Sequence, residues 1–135
     1  MIKEIQFQRS KQRIFAMDEN YNVVGDWECR DAFVDGYNEA GDPRGSLPDG
    51  VYTGVWAEVT NGKYGPAYGN FYITSNDPRG RDIHGGGSGT ANPYADYQGW
   101  APTFGCLRMQ NADGVELSQM MIDSGNSVTL TVVQG

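Results

Sequence analysis

Only one stretch of this chain, Asn111 to Gly125, has helical periodicity. Asn111 is a plausible N-cap, Leu117, Met120 and Met121 share one face at i, i+3, i+4 spacing, and Gly125 stands where a C-terminal cap belongs. Almost everything else alternates over short runs and is broken by turn chemistry. Ile2, Ile5 and Phe7 open a strand, Arg13–Met17 continues in that style, and the polar cluster 18–22 turns the chain into a returning strand, Val23–Cys29. Val23, Trp27 and Cys29 are predicted to share a face of it. A Gly- and Asp-rich loop over 35–50 then precedes a long strand, Val51–Val59, expected to carry Val51, Val55 and Val59 on one side and Tyr52 and Trp56 on the other. Asn61-Gly62 is a strong turn dipeptide. Asn70–Ser75 and Ser127–Val133 are the last long strands, with Val128, Leu130 and Val132 on one face. The pattern predicts a mainly β fold with one helix packed on a sheet.

No composition shift or linker interrupts the chain, so residues 1–135 are expected to form a single domain large enough for a core without staples. The formal charge of −7 argues against nucleic acid or an anionic membrane as a partner. No run reaches the roughly 20 apolar residues of a membrane span. The N-terminal Met1–Phe7 reads as a strand and not as a signal peptide.

Chemistry concentrates between Ile83 and Asp113. The only histidine, His84, begins His84-Gly85-Gly86-Gly87-Ser88-Gly89, and Cys106 follows 22 residues later in Thr103-Phe104-Gly105-Cys106-Leu107-Arg108-Met109. One His and two Cys are too few for a zinc site. The glycine run has no Lys and leads into no helix, so it is not a phosphate loop. Gly87-Ser88-Gly89 lacks the context of a serine nucleophile elbow. A cysteine nucleophile with a histidine base needs no cofactor or metal, and is the arrangement that remains. Gly105 permits an unusual turn, the amides of Gly105 and Cys106 are candidate oxyanion donors, and Arg108 falls on the Cys106 face if the segment is extended.

The ordered set Ser46-Leu47-Pro48-Asp49-Gly50-Val51-Tyr52, Ile83-His84-Gly85, Gly105-Cys106-Leu107-Arg108-Met109, Asn111-Ala112-Asp113 and Gly125-Asn126-Ser127-Val128 resembles the catalytic domain of L,D-transpeptidases, the YkuD-like family. The resemblance covers nearly the whole chain. It implies an L,D-transpeptidase-like β-sandwich or sheet with its helix after the cysteine motif, and a cysteine acyl enzyme acting on peptidoglycan stem peptides in the cell envelope or outside the cell. Cys106 would be the nucleophile, His84 the base, and the Gly85 carbonyl the group that orients the imidazole. Gly105, Arg108 and Thr103 would organise the site, while Tyr68, Tyr72, Trp100 and Phe104 would meet substrate. Thr103-Phe104 stands where the family has Ser-His, which removes one familiar histidine. The longer interval over 86–102 is expected to place Tyr94, Tyr97 and Trp100 as an aromatic lip over the site.

The products would be 3-3 cross-links or, with water as acceptor, trimmed stems. A secreted antibacterial or phage-encoded wall enzyme of the same fold and a non-catalytic wall-binding domain are the alternatives. No inhibitor or immunity partner is specified by the residues. In sortases the arginine lies on a later strand, and papain-like and NlpC-type peptidases place Cys before His.

Overall fold

The computed structural model describes residues 1–135. Its elements follow in the order β1 (Ile2–Gln8), β2 (Arg13–Asp18), β3 (Val23–Glu28), β4 (Gly50–Val59), β5 (Phe71–Thr74), β6 (Ile83–His84), β7 (Leu107–Arg108), α1 (Asn111–Asp123) and β8 (Val128–Val133). The strands form one sheet in the order β3-β2-β1-β8-β4-β5-β6-β7. Pairs β1–β8 and β6–β7 are parallel and the rest antiparallel. The fold is mainly β with its one helix after the cysteine segment, as the pattern predicts.

The sheet curls back on itself. Arg30, just beyond β3, exchanges both backbone hydrogen bonds with Arg108 of β7, each 2.9 Å long. Thr103 donates to Ala32 O at 3.0 Å and accepts from Val34 N–H at 2.8 Å. The continuation of the first strand in the sheet therefore covers the edge of the last one, which would otherwise offer unpaired amides. Ile5, Phe7, Ile14, Ala16, Leu130 and Val132 point inward by simple alternation and are fully or almost fully buried.

Helix α1 packs on β4 and β5. A side chain at Gly114 would put its Cβ 1.9 Å from the Phe71 ring, so the helix sits this close because that position is glycine. Leu117 and Met121 are buried beneath it, with Met120 partly buried beside them. The helix ends in a Schellman motif: Asn126 N–H reaches Met121 O (2.7 Å), Gly125 N–H reaches Ile122 O (3.2 Å), and Gly125 has φ +94°. No helix is long and apolar enough to cross a membrane.

Three local expectations are corrected. In β4 the pairing shifts between Tyr52 and Val55, where Gly54 takes φ +64°. The shift inverts the alternation, so Tyr52 packs against the core while Val51 is 68% exposed and Val55 and Ala57 turn inward. In β3 a similar shift opposite Ala16 and Met17 leaves Val23 exposed, while Trp27 and Cys29 remain buried. The N-cap of α1 is Gln110, without a side-chain cap bond, and Asn111 is the first helical residue.

Candidate active site

His84 ends β6, with Tyr72 of β5 and Arg108 of β7 as its neighbours across the sheet. Ile83 faces the core, so alternation turns His84 to the other side of the sheet. The chain then leaves through glycines that must be glycines. A Cβ on Gly86 (φ +68°) would lie 2.4 Å from Pro66 O, and one on Gly85 would meet Asn111 Oδ1 at 2.2 Å. The imidazole is buried, with the Tyr68 ring edge-on at 4.8 Å between centroids. Nδ1 lies 2.9 Å from Gly85 O. A carbonyl can only accept, so Nδ1 carries the proton and Nε2 keeps its lone pair. Burial pulls the imidazole pKa down to about 4; the Gly85 bond raises it and the Arg108 charge lowers it further. At neutral pH His84 is an uncharged base.

Cys106 follows a turn stitched by Thr103. The Thr103 hydroxyl donates to Cys106 O at 2.6 Å and accepts from Gly105 N–H at 3.0 Å. Gly105 has φ +140°, and a Cβ there would sit 2.6 Å from Gly45 O. The Gly105 amide is held by Thr103, while the amides of Phe104 and Cys106 make no hydrogen bond within the protein, and that of Cys106 adjoins the sulfur. The sulfur accepts from Asp82 N–H at 3.4 Å. Burial pushes the thiol pKa up, the Asp82 amide pulls it down, the Asp82 carboxylate raises it and the Arg108 charge lowers it. The resting pair is a neutral thiol and a neutral imidazole, with no hydrogen bond joining them.

Arg108 lies between these features. Its Nη1 donates to Gly85 O at 3.0 Å, so His84 and Arg108 share one acceptor. The side chain is 5% exposed, Nε has no partner, and no carboxylate is within ion-pair distance. An arginine keeps its charge even where burial lowers its pKa, as it does here. His84, Cys106 and Arg108 line one cavity of about 580 Å³ together with Tyr68, Thr103 and Phe104. Arg79 and Arg81 also line it, each paired with a carboxylate outside the lining, Arg79 with Asp42 at 3.9 Å and Arg81 with Asp77, so Arg108 is the cation of the cavity without an ion pair. Arg81 is anchored by Asp77 through two bonds of 2.9 and 3.2 Å.

Other expected site residues fall elsewhere. Tyr72 does not line the cavity; its hydroxyl donates to the Asp82 carboxylate. Phe104 is 69% exposed at the cavity, with the Arg44 guanidinium 4.1 Å from its ring centre. The predicted aromatic lip is not formed. Trp100 is stacked by Arg30 at 4.1 Å, Tyr94 lies against Gly62, and neither they nor Tyr97 reach the cavity. The reason is that the 86–102 segment is fastened to the start of α1. Gln98 donates to Met109 O (2.8 Å) and accepts from Asn111 N–H (2.7 Å), while Gly99 and Gln110 bond reciprocally at 3.0 and 2.9 Å.

Two residues escaped the sequence reading. Asp82 accepts from the Tyr72 hydroxyl and from Ser75 N–H (2.8 Å), while its own amide meets the Cys106 sulfur. Its position two residues before His84, on the same strand face, is a signal that alternation offered. Asn111, read as a cap, is a hub: Oδ1 accepts from the amides of Asn70 (3.1 Å) and Gly86 (3.3 Å), and Nδ2 donates to Pro93 O (2.8 Å) and Ala95 O (2.7 Å). Nothing local in the sequence marks that role.

No family model and no curated protein matches the sequence. Solved structures do match the fold. An L,D-transpeptidase from Xylanimonas cellulosilytica superposes with a TM-score of 0.55 at 18% identity, over 96% of this chain and 59% of that one. The Ldtfm–avibactam carbamoyl enzyme superposes with a TM-score of 0.57 at 17% identity, over 96% of this chain and 48% of that one. This chain thus spans about half the length of the structures it matches. With its histidine and cysteine facing one cavity, the chain has an L,D-transpeptidase-like fold.

Proposed function

We propose that this chain is a cysteine acyl-transfer enzyme that acts on peptidoglycan stem peptides, in the cell envelope or outside the cell. The observation that carries the reading is that His84, with Nε2 kept as a lone pair, and Cys106 line one arginine-rich cavity. In the reaction the Cys106 proton passes to His84 Nε2 as sulfur attacks the carbonyl of the third stem residue. The oxygen that becomes negative is met by the Cys106 amide. Collapse breaks the peptide bond, and the departing D-Ala amine takes the proton from Nε2. An amine of a neighbouring stem then attacks the thioester and yields a 3-3 cross-link, or water attacks and yields a shortened stem. Proton transfer is uphill from the neutral resting pair and so is coupled to attack. The Asp82 amide and the Arg108 charge stabilise the sulfur as it becomes a thiolate.

Mass spectrometry of tetrapeptide muropeptides incubated with the protein and with Cys106→Ala tests this. Loss of D-Ala with dimer formation, absent from the variant, is the transpeptidase outcome. Loss of D-Ala with tripeptide alone is the carboxypeptidase outcome. Unchanged stems from folded protein would overturn the reading.

A further inference from the structure

Beside the cavity lies a second, shallower depression of about 360 Å³ lined only by Trp56, Tyr64, Tyr68 and Tyr72. Strands β4 and β5 build it: Glu58 stands directly opposite Tyr72, so Trp56, Glu58 and Tyr72 share a face of the sheet. The following loop brings Tyr64 and Tyr68 edge-on to the Tyr72 ring, at 6.0 and 5.7 Å between centroids. Trp56, Tyr64 and Tyr68 are 42, 45 and 37% exposed, so these rings meet water and not the core. A contiguous aromatic surface of this kind marks a binding site more often than chance exposure does. Its rim is polar: Glu58 accepts from the Tyr64 hydroxyl (2.8 Å) and from Lys63 Nζ (3.2 Å).

The shape selects among ligands. Strand β5 is paired on both sides, and where β4 pairs with β5 over 56–59 the Asn126 side chain takes both backbone groups of Ala57 on the other edge, so an extended peptide cannot add there as a further strand. The one cation at the rim, Lys63, is engaged by Glu58, which leaves nothing to recognise a phosphate. Flat rings edged by hydroxyl and carboxylate groups instead match a pyranose, which has C–H faces and a hydroxyl rim.

Tyr68 lines both the depression and the cavity, so the two are continuous. Strands lie ~4.8 Å apart and rise ~3.4 Å per residue. Trp56, Thr74, Asp82 and Cys106 stand in register from β4 across to β7, so Trp56 is three strand spacings, about 14 Å, from Cys106, and Tyr72 is about 12 Å from it. Three extended residues reach about 10–11 Å. A stem whose third carbonyl is at Cys106 would bring its sugar attachment to the near edge of this aromatic surface, at Tyr68 and Tyr72, from which a chain of sugars would run on over Tyr64 and Trp56.

Resting on the function proposed above, we propose that Trp56, Tyr64, Tyr68 and Tyr72 form a saccharide platform for the N-acetylated aminosugar backbone of the polymer whose stem enters the cavity. Isothermal titration calorimetry with glycan chains stripped of their stems tests it without requiring turnover. The protein and its Cys106→Ala variant are expected to bind these chains alike. Trp56→Ala and Tyr64→Ala, whose folding is checked by thermal unfolding, are expected to bind about tenfold or more weakly. No binding by the unmodified protein, or equal binding by the folded Trp56→Ala variant, overturns the platform. Binding of sugar-free stem peptides in place of the chains, lost in Trp56→Ala, also overturns it and makes the depression a peptide subsite. Chain binding without any stem cleavage would uphold the platform while the acyl-transfer reading failed.

Discussion

His84 and Arg108 converge on one oxygen, the carbonyl of Gly85, at 2.9 and 3.0 Å. The shared acceptor holds the imidazole in one tautomer and holds the guanidinium beside it, so a single peptide group sets both the geometry and the charge environment of the base. Parallel pairing of β6 and β7 puts the two residues in register.

Replacing Arg108 by Gln is expected to raise the His84 pKa, because it removes a positive neighbour that lowers it. It should also lower kcat/KM about 100-fold through misplacement of the base. His84 is the only histidine, so NMR titration of its ring protons reads the shift without assignment. An unmoved titration would leave Arg108 with a structural role only.

The same titration in the unmodified protein should give a midpoint near 4. Stability follows with a definite sign. Between about 4 and 6.5 the unfolded chain binds the proton that the folded chain refuses. The His84 contribution is therefore complete above pH 6.5 and is lost as pH falls toward 4, an effect of about 3 kcal/mol in all. Urea unfolding across this range should show the slope, and His84→Gln should flatten it.

Burial raises the pKa of both thiols, of Cys29 most strongly. Iodoacetamide should label the folded protein once, at Cys106, slowly at pH 7 and faster through pH 9. Cys29 is fully buried and should react only after denaturation. Mass spectrometry of the protein against Cys106→Ser separates the two sites.

Asn111→Ala should destabilise the fold by about 3 kcal/mol, because it strands the buried Gly86 amide together with the partly buried Asn70 amide and two partly buried carbonyls. The 86–102 segment would loosen with it. Thermal unfolding together with limited proteolysis at that segment checks both effects.

Alternation and turn dipeptides made most of the strands legible in the sequence, and the only helix stood out because nothing else has its period. What escaped was whatever depended on contacts distant in sequence. The bulge at Gly54 reversed the faces of Val51 and Tyr52, since one extra residue inverts a period of two. The aromatic-rich segment looked like a lip until its glutamine and asparagine anchors were visible. His84, Cys106 and Arg108 could be picked out as residues from their motif. Their convergence on Gly85, and the Thr103 hydroxyl that occupies the Gly105 amide, could not.

The pairing of Arg30 with Arg108 ties β7, the strand that follows Cys106, to a hairpin that does not line the cavity. A thermal fluctuation that frees either arginine's amide must free the other's, so the two should exchange with deuterium at a common rate and mark one cooperative opening unit. Loosening the β2–β3 hairpin would then let β7 and the Cys106 turn before it drift and, on the function proposed above, slow acyl transfer.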